Sequence, residues 1–191
     1  MYPKIVELDI KHEIDGFERA TLTRLLNSFE DIELEATEKR RKFLERKSKN
    51  FDPDIDDEAD IEEDAYFKEI SHLSIEQELR QEFVNSTAVW LFHMFERQKK
   101  RIFKSDQTNT LKPMLAKKNY NIDACPDWKI LHKELRNAAN AIKHGPGSSA
   151  AKQLYKIAPN LFINKSIILS ETDIQRYIDS LRTFWTKALK D

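Results

Sequence analysis

Apolar residues in this chain recur at intervals of three and four for most of its length, the spacing that buries one face of an α-helix. Leu22, Leu25, Phe29, Ile32 and Ala36 form one such series, Trp128, Leu131, Leu135, Ala138 and Ile142 a second, and Ile174, Tyr177, Ile178, Leu181, Trp185 and Ala188 a third. Sheet proteins need frequent turns, yet 191 residues here contain only 3 glycines and 6 prolines. With 34% of residues charged, the pattern suits long amphipathic helices and predicts an all-α bundle, a single helical domain over 1–191.

Element boundaries follow from local signals. A long first helix is expected from about Asp15 to Asn50, ending in the charged run Glu38–Lys47. Residues 51–64 are rich in acids and read as a flexible loop, leaving 75–191 as the main bundle. Asp52, Asp54, Asp56 and Glu63 match four positions of an EF-hand calcium loop. Asp57 stands where its tight turn wants glycine, however, and Ala59 where an aliphatic anchor is usual, so no metal site is expected. From Ile75 to about Lys104 the run Phe83-Val84…Ala88-Val89-Trp90-Leu91-Phe92…Met94-Phe95 predicts a central helix buried on several sides, Trp90 included, with His93 a hydrogen-bonded core residue. A short helix is expected near Leu111–Asn119, and Asp127 is the expected N-cap of the helix after it. That helix stops at Gly145-Pro146; Ser148 or Ser149 caps another through Ile157. Residues 161–169 hold two short apolar runs around Asn164-Lys165, a candidate β-hairpin, and Ser170-Glu-Thr-Asp173 resembles a capping box.

Several functional classes can be set aside. Cys125 is alone, so neither an internal disulfide nor a thiolate metal cluster can form. His12, His72, His93, His132 and His144 show no zinc-ligand spacing, no glycine-rich phosphate loop precedes a Lys-Ser/Thr pair, and no strand-borne nucleophile elbow is visible. No cofactor is therefore expected. The apolar runs are too short for a membrane span and the N-terminal residues lack a leader's apolar core, which together point to a cytoplasmic protein. A net charge of −1 means that nucleic-acid binding would have to rest on a local basic face.

Chemistry concentrates at one helix end. At about 100° per residue, Lys133, Asn137, Asn140 and His144 stack on one side of their helix, with Arg136 and Lys143 flanking them. Gly145 and Gly147 allow a sharp turn, and Ser148 and Ser149 start a helix whose free N–H groups favour an anion. Such a line could hold a phosphodiester: His144, Asn140 and Arg136 are the candidate catalytic residues. Lys133, Asn137, Lys143, Gly145, Gly147, Ser148 and Ser149 are the candidate binding residues. A plainer reading stands beside it. The asparagines would be buried and hydrogen-bonded to a neighbouring helix, His144 would cap the helix, and the glycines would only connect two helices.

The run Glu134-Leu-Arg-Asn-Ala-Ala-Asn-Ala-Ile-Lys-His-Gly-Pro-Gly-Ser-Ser-Ala150, with Leu154, Pro159, Leu161 and Phe162 downstream, resembles the HEPN superfamily of helical domains. It also resembles a group of bacterial proteins sharing an Asn-x-x-Lys-His-Gly turn followed by Gly-x-Ser. The resemblance implies a homodimeric, metal-independent RNA endonuclease acting in a defence or toxin–antitoxin module. In that family an Arg precedes the His by four to six intervening residues; here Arg136 and His144 are separated by seven, with Asn137 and Asn140 between them. The alternative is a non-enzymatic helical protein that dimerises or docks to a protein partner such as an antitoxin.

Overall fold

A computed structural model describes residues 3–190; Met1, Tyr2 and Asp191, including part of the segment read for a leader, lie outside the described residues. Among the described residues the chain is all-α apart from one two-stranded hairpin. Its helices are α1 (Pro3–Glu18), α2 (Ile32–Ser48), α3 (Glu58–Phe103), α4 (Thr108–Ala116), α5 (Pro126–Lys129), α6 (Arg136–His144), α7 (Ser149–Ile157) and α8 (Glu171–Ala188). Strands β1 (Phe162–Ile163) and β2 (Ser166–Ile167) pair antiparallel, Phe162 opposite Ile167. Among the described residues no helix is long and apolar enough to cross a membrane.

Residues group into two compact units. One comprises residues 1–24 and 83–191, the other residues 25–82. The sequence reading takes the whole chain as one domain with its main bundle starting at Ile75. The grouping changes at Phe83, within α3; apolar periodicity records that a face is buried and not which elements bury it.

In the larger unit the core is aromatic. Phe95 meets Phe184 edge-on at 5.4 Å, Phe184 meets Trp185 at 5.1 Å and Trp128 at 5.5 Å, and Phe103 stacks on Trp185. Burying such side chains contributes roughly 1.5–3 kcal/mol each. The indole Nε1 of Trp185 donates to Gln98 Oε1 at 2.7 Å, and Gln98 Nε2 donates to Glu13 Oε2, so the buried polar atoms are satisfied. The whole α8 series from Ile174 to Ala188 is buried. Its capping box forms as expected, with Asp173 N–H donating to Ser170 Oγ at 3.1 Å and Ser170 N–H to Asp173 Oδ2. The hairpin turn places Asn164 and Lys165 at positive φ, 48° and 70°, as a tight two-residue connection requires. Asn85 fastens it by donating to the Ile167 carbonyl and accepting from Leu169 N–H.

Several boundaries differ from the sequence reading. The long first helical stretch begins at Pro3, passes through π-helical Arg19–Leu25 and a 3₁₀ turn at Leu26–Phe29, and resumes as α2 after Glu30-Asp31. The acidic loop is shorter than 51–64, because α3 starts at Glu58; Glu58 and Asp60 then favour the positive pole of that helix. Two of its calcium-like carboxylates turn onto nearby backbone, Asp52 Oδ1 accepting from Asp54 N–H and Asp56 Oδ2 from Asp52 N–H. The α3 helix runs 46 residues and has a clear outer face. Trp90 is 48% exposed and the His93 side chain 49%, while Val84, Ala88, Leu91, Phe92 and Phe95 are buried. The high apolar count concealed this: Trp90, His93 and Arg97 lie on the side opposite Ala88, Leu91 and Phe95 at 100° per residue. The short helix spans Thr108–Ala116 and ends before Asn119, which takes a positive φ of 56°. Cys125, not Asp127, is the N-cap of α5, since Pro126 occupies the first helical position and moves the boundary one step back.

Candidate functional site

Helix α5 continues without a break through π-helical Ile130–Leu135 into α6, so Pro126–His144 forms one rod with a wide turn in its middle. Trp128, Leu131, Leu135, Ala138 and Ala141 are buried along its inner side; Ile142, placed on the same apolar series by the sequence, is only partly so. Glu134 anchors the wide turn to α8. It accepts from Arg176, 3.3 Å at one guanidinium nitrogen and closer at the other, and from the Tyr177 hydroxyl at 2.8 Å. Burial, and then the Glu134 carboxylate beside it, hold the Tyr177 phenol well above its ordinary pKa.

The end of the rod is closed by glycine. Gly145 adopts φ 85°, which L side chains rarely take, and its N–H donates to the Ala141 carbonyl at 2.8 Å. Ser148 N–H then donates to the Gly145 carbonyl, and Ser148 Oγ caps α7 by accepting from Ala151 N–H at 3.1 Å. This four-residue reversal brings the start of α7 beside the end of α6.

Between them lies an open hollow of about 490 Å³ lined by Arg136, Asn137, Asn140 and His144 from α6, with Ser148, Ser149, Ala150 and Gln153 from the capping turn and α7. Six of the ten candidate residues therefore converge: Arg136, Asn137, Asn140, His144, Ser148 and Ser149. Four stand apart. Lys133 is exposed on the π-helical stretch and does not line the hollow. Lys143 is exposed on α6 outside the hollow, Gly145 shapes the turn without lining it, and Gly147 borders a different cavity.

The plainer reading of the asparagines does not describe what forms. Asn137 Nδ2 donates to the Lys133 carbonyl of its own rod at 2.7 Å; the Asn140 side chain has no hydrogen-bond partner among the described residues. Both are half-buried, and His144 is exposed. Arg136 is exposed and makes no ion pair with any described residue, whereas Arg176 and Arg182 are held by two or more carboxylates each.

Arg136 also borders a second, smaller hollow of about 190 Å³ with Phe92, Glu96, Lys99, Asp106, Thr108 and His132, none of which the sequence reading placed in a site. Lys99 is 3% exposed, its ammonium 4.7 Å from the Phe95 ring and 3.3 Å from the Asp106 carbonyl oxygen; burial pulls its pKa down. His132 stacks on Trp128 at 4.7 Å and lies 3.2 Å from Thr108 Oγ1. Burial first, and then the charges of Arg136, Lys99, Lys133 and Lys112, bring its pKa down to about 4. Among the described residues no three His, Cys, Asp or Glu side chains gather where they could hold a metal ion.

One signal in the sequence could have pointed to this whole surface. From Leu135 to Ser170 there is not one Asp or Glu, while Arg136, Lys143, Lys152, Lys156 and Lys165 supply five cations in a chain of net charge −1. None of the five makes an ion pair with a described residue. No family model matches this chain, and neither a curated protein nor a solved structure does.

Proposed function

We propose that the protein is a metal-independent endoribonuclease of HEPN-like character, working as a homodimer in the cytoplasm as the effector of a defence or toxin–antitoxin module. The observation that carries this is the hollow itself: an accessible imidazole, an arginine with no carboxylate partner and two amides around a space open to solvent, next to a helix start. Each feature suits an RNA phosphodiester. A guanidinium offers paired donors to phosphate oxygens, and the free N–H groups of α7 favour the same charge. His144 accepts the 2′-hydroxyl proton as that oxygen attacks phosphorus. The bond to the 5′-oxygen breaks, and that oxygen leaves with a proton from the His144 imidazole of a second copy. The products are a 2′,3′-cyclic phosphate and a free 5′-hydroxyl. Arg136 and the amides of Asn137 and Asn140 stabilise the charge developing on the phosphorane oxygens.

The test is cleavage of a single-stranded RNA in EDTA by the wild type and by His144→Ala. Loss of about 10²–10⁴-fold in rate, with a cyclic phosphate on the wild-type product, is expected. Equal cleavage by both proteins, or none by either, removes the proposal. A second reading, a non-enzymatic protein that binds a protein partner, draws on Trp90, a large aromatic 48% exposed on α3. It predicts a partner lost on Trp90→Ala and indifferent to His144→Ala.

A further inference from the structure

A third and larger hollow, about 870 Å³, lies on the other side of the first turns of α7. It is lined by Pro146 and Gly147 of the capping turn, Ala151, Lys152, Tyr155 and Lys156 of α7, and Phe162, Asn164 and Lys165 of the hairpin. Tyr155 is 59% exposed and meets the Phe162 ring edge-on at 5.3 Å and 79°. The edge contact props the tyrosine ring and leaves a face of it open. Three lysines line the same hollow, and no carboxylate does. Because the 145–148 turn borders both hollows, a chain lying in one needs only to cross that turn to reach His144.

We infer that this hollow binds an unstacked nucleotide of single-stranded RNA, with the base against Tyr155 and the flanking phosphates held by Lys152, Lys156 and Lys165. The argument is charge and shape together. An apolar protein segment would be served by aromatic walls alone, and an acidic small molecule by the lysines alone. A single strand offers a flat apolar face and a negative charge at every nucleotide, and an exposed aromatic ring in a hollow lined by three lysines meets both. A duplex does not fit, because its bases are already stacked and cannot reach the ring. The inference rests on the proposed function for the identity of the strand as RNA, and it extends that site by one nucleotide position.

Binding and cleavage separate the two claims. A fluorescently labelled 12-nucleotide RNA is titrated by anisotropy, in EDTA and at fixed salt, against full-length protein carrying His144→Ala. Adding Tyr155→Ala is expected to weaken binding about tenfold, whereas Tyr155→Phe, which keeps the ring, should bind as the parent does. Lys152→Ala should lower the slope of log affinity against log salt by about 0.7. A Tyr155→Ala protein that binds as tightly as its parent overturns the inference, as does equal affinity for a 12-base-pair duplex. Wild type that binds through Tyr155 yet never cleaves would leave this site standing and remove the ribonuclease. Wild type that cleaves with Tyr155→Ala binding unchanged would do the reverse. Tyr155 and Lys152 are both exposed, so neither replacement threatens the fold.

Discussion

Helix α2 and the stretch from Leu135 to Ser170 both carry many cations, and they treat them oppositely. On α2, Arg41 lies 2.7 Å from Glu38 and also pairs with Glu45, Lys42 reaches Glu38 at 3.3 Å, and Arg40 binds Glu62 and Glu69 at 3.0 and 3.3 Å. The Arg41 guanidinium beside Glu38 brings that carboxyl down to about 2. On α6, α7 and the hairpin, Arg136, Lys143, Lys152, Lys156 and Lys165 have no such partner among the described residues. Positive charge that is already neutralised contributes solubility and a little helix stability. Positive charge left open is available to an anion from outside, which is why the candidate site belongs to the second region although the first has more arginines.

Exchanging arginines tests this contrast most sharply. Arg136→Ala should lower the RNA cleavage rate about 10²–10³-fold, the effect of removing one preorganised donor, with its melting temperature unchanged. A smaller loss, or an equal loss from Arg41→Ala, would break the comparison. Next comes acidity around Arg136. His132 has a folded-state pKa near 4, held down first by burial and then by Arg136 and its neighbouring lysines, against an ordinary value of 6.5. The unfolded chain therefore takes up the proton first. Stability is fully present above about pH 6.5, falls as the pH drops through that window and levels off below about 4, a change of about 1–3 kcal/mol. Denaturant melts of wild type and His132→Asn at pH 7 and pH 5 would read it; parallel behaviour of the two proteins would show that His132 is not the group responsible. The smallest effect is expected at Arg41→Ala, which should move the melting temperature by no more than about 2 °C, because exposed i,i+3 and i,i+4 pairs contribute little.

Much of the candidate site was readable in advance because its determinants are short-range. Asn137, Asn140 and His144 share a face through helical geometry alone, Gly145 terminates the helix because only glycine readily takes its positive φ, and Ser148 caps α7 through a three-residue hydrogen bond. Lys133, one turn before Asn137 on the π-helical stretch, does not line the hollow, and spacing cannot announce a π-helical turn. The meeting of Lys99 with Trp128 and His132 was not legible, because α3 and the Pro126–His144 rod come together only in the folded unit.

The amino-acid order by itself therefore determined helices, caps, the hairpin turn and the absence of acids between Leu135 and Ser170, all matters of neighbouring residues. Tertiary structure alone decided that Trp90 and His93 face outward, that Phe162 props Tyr155, and that Arg136 is left without a carboxylate while Arg176 and Arg182 are held by several. Those outcomes depend on which distant segments arrive beside a side chain, and periodicity along one helix carries no record of them.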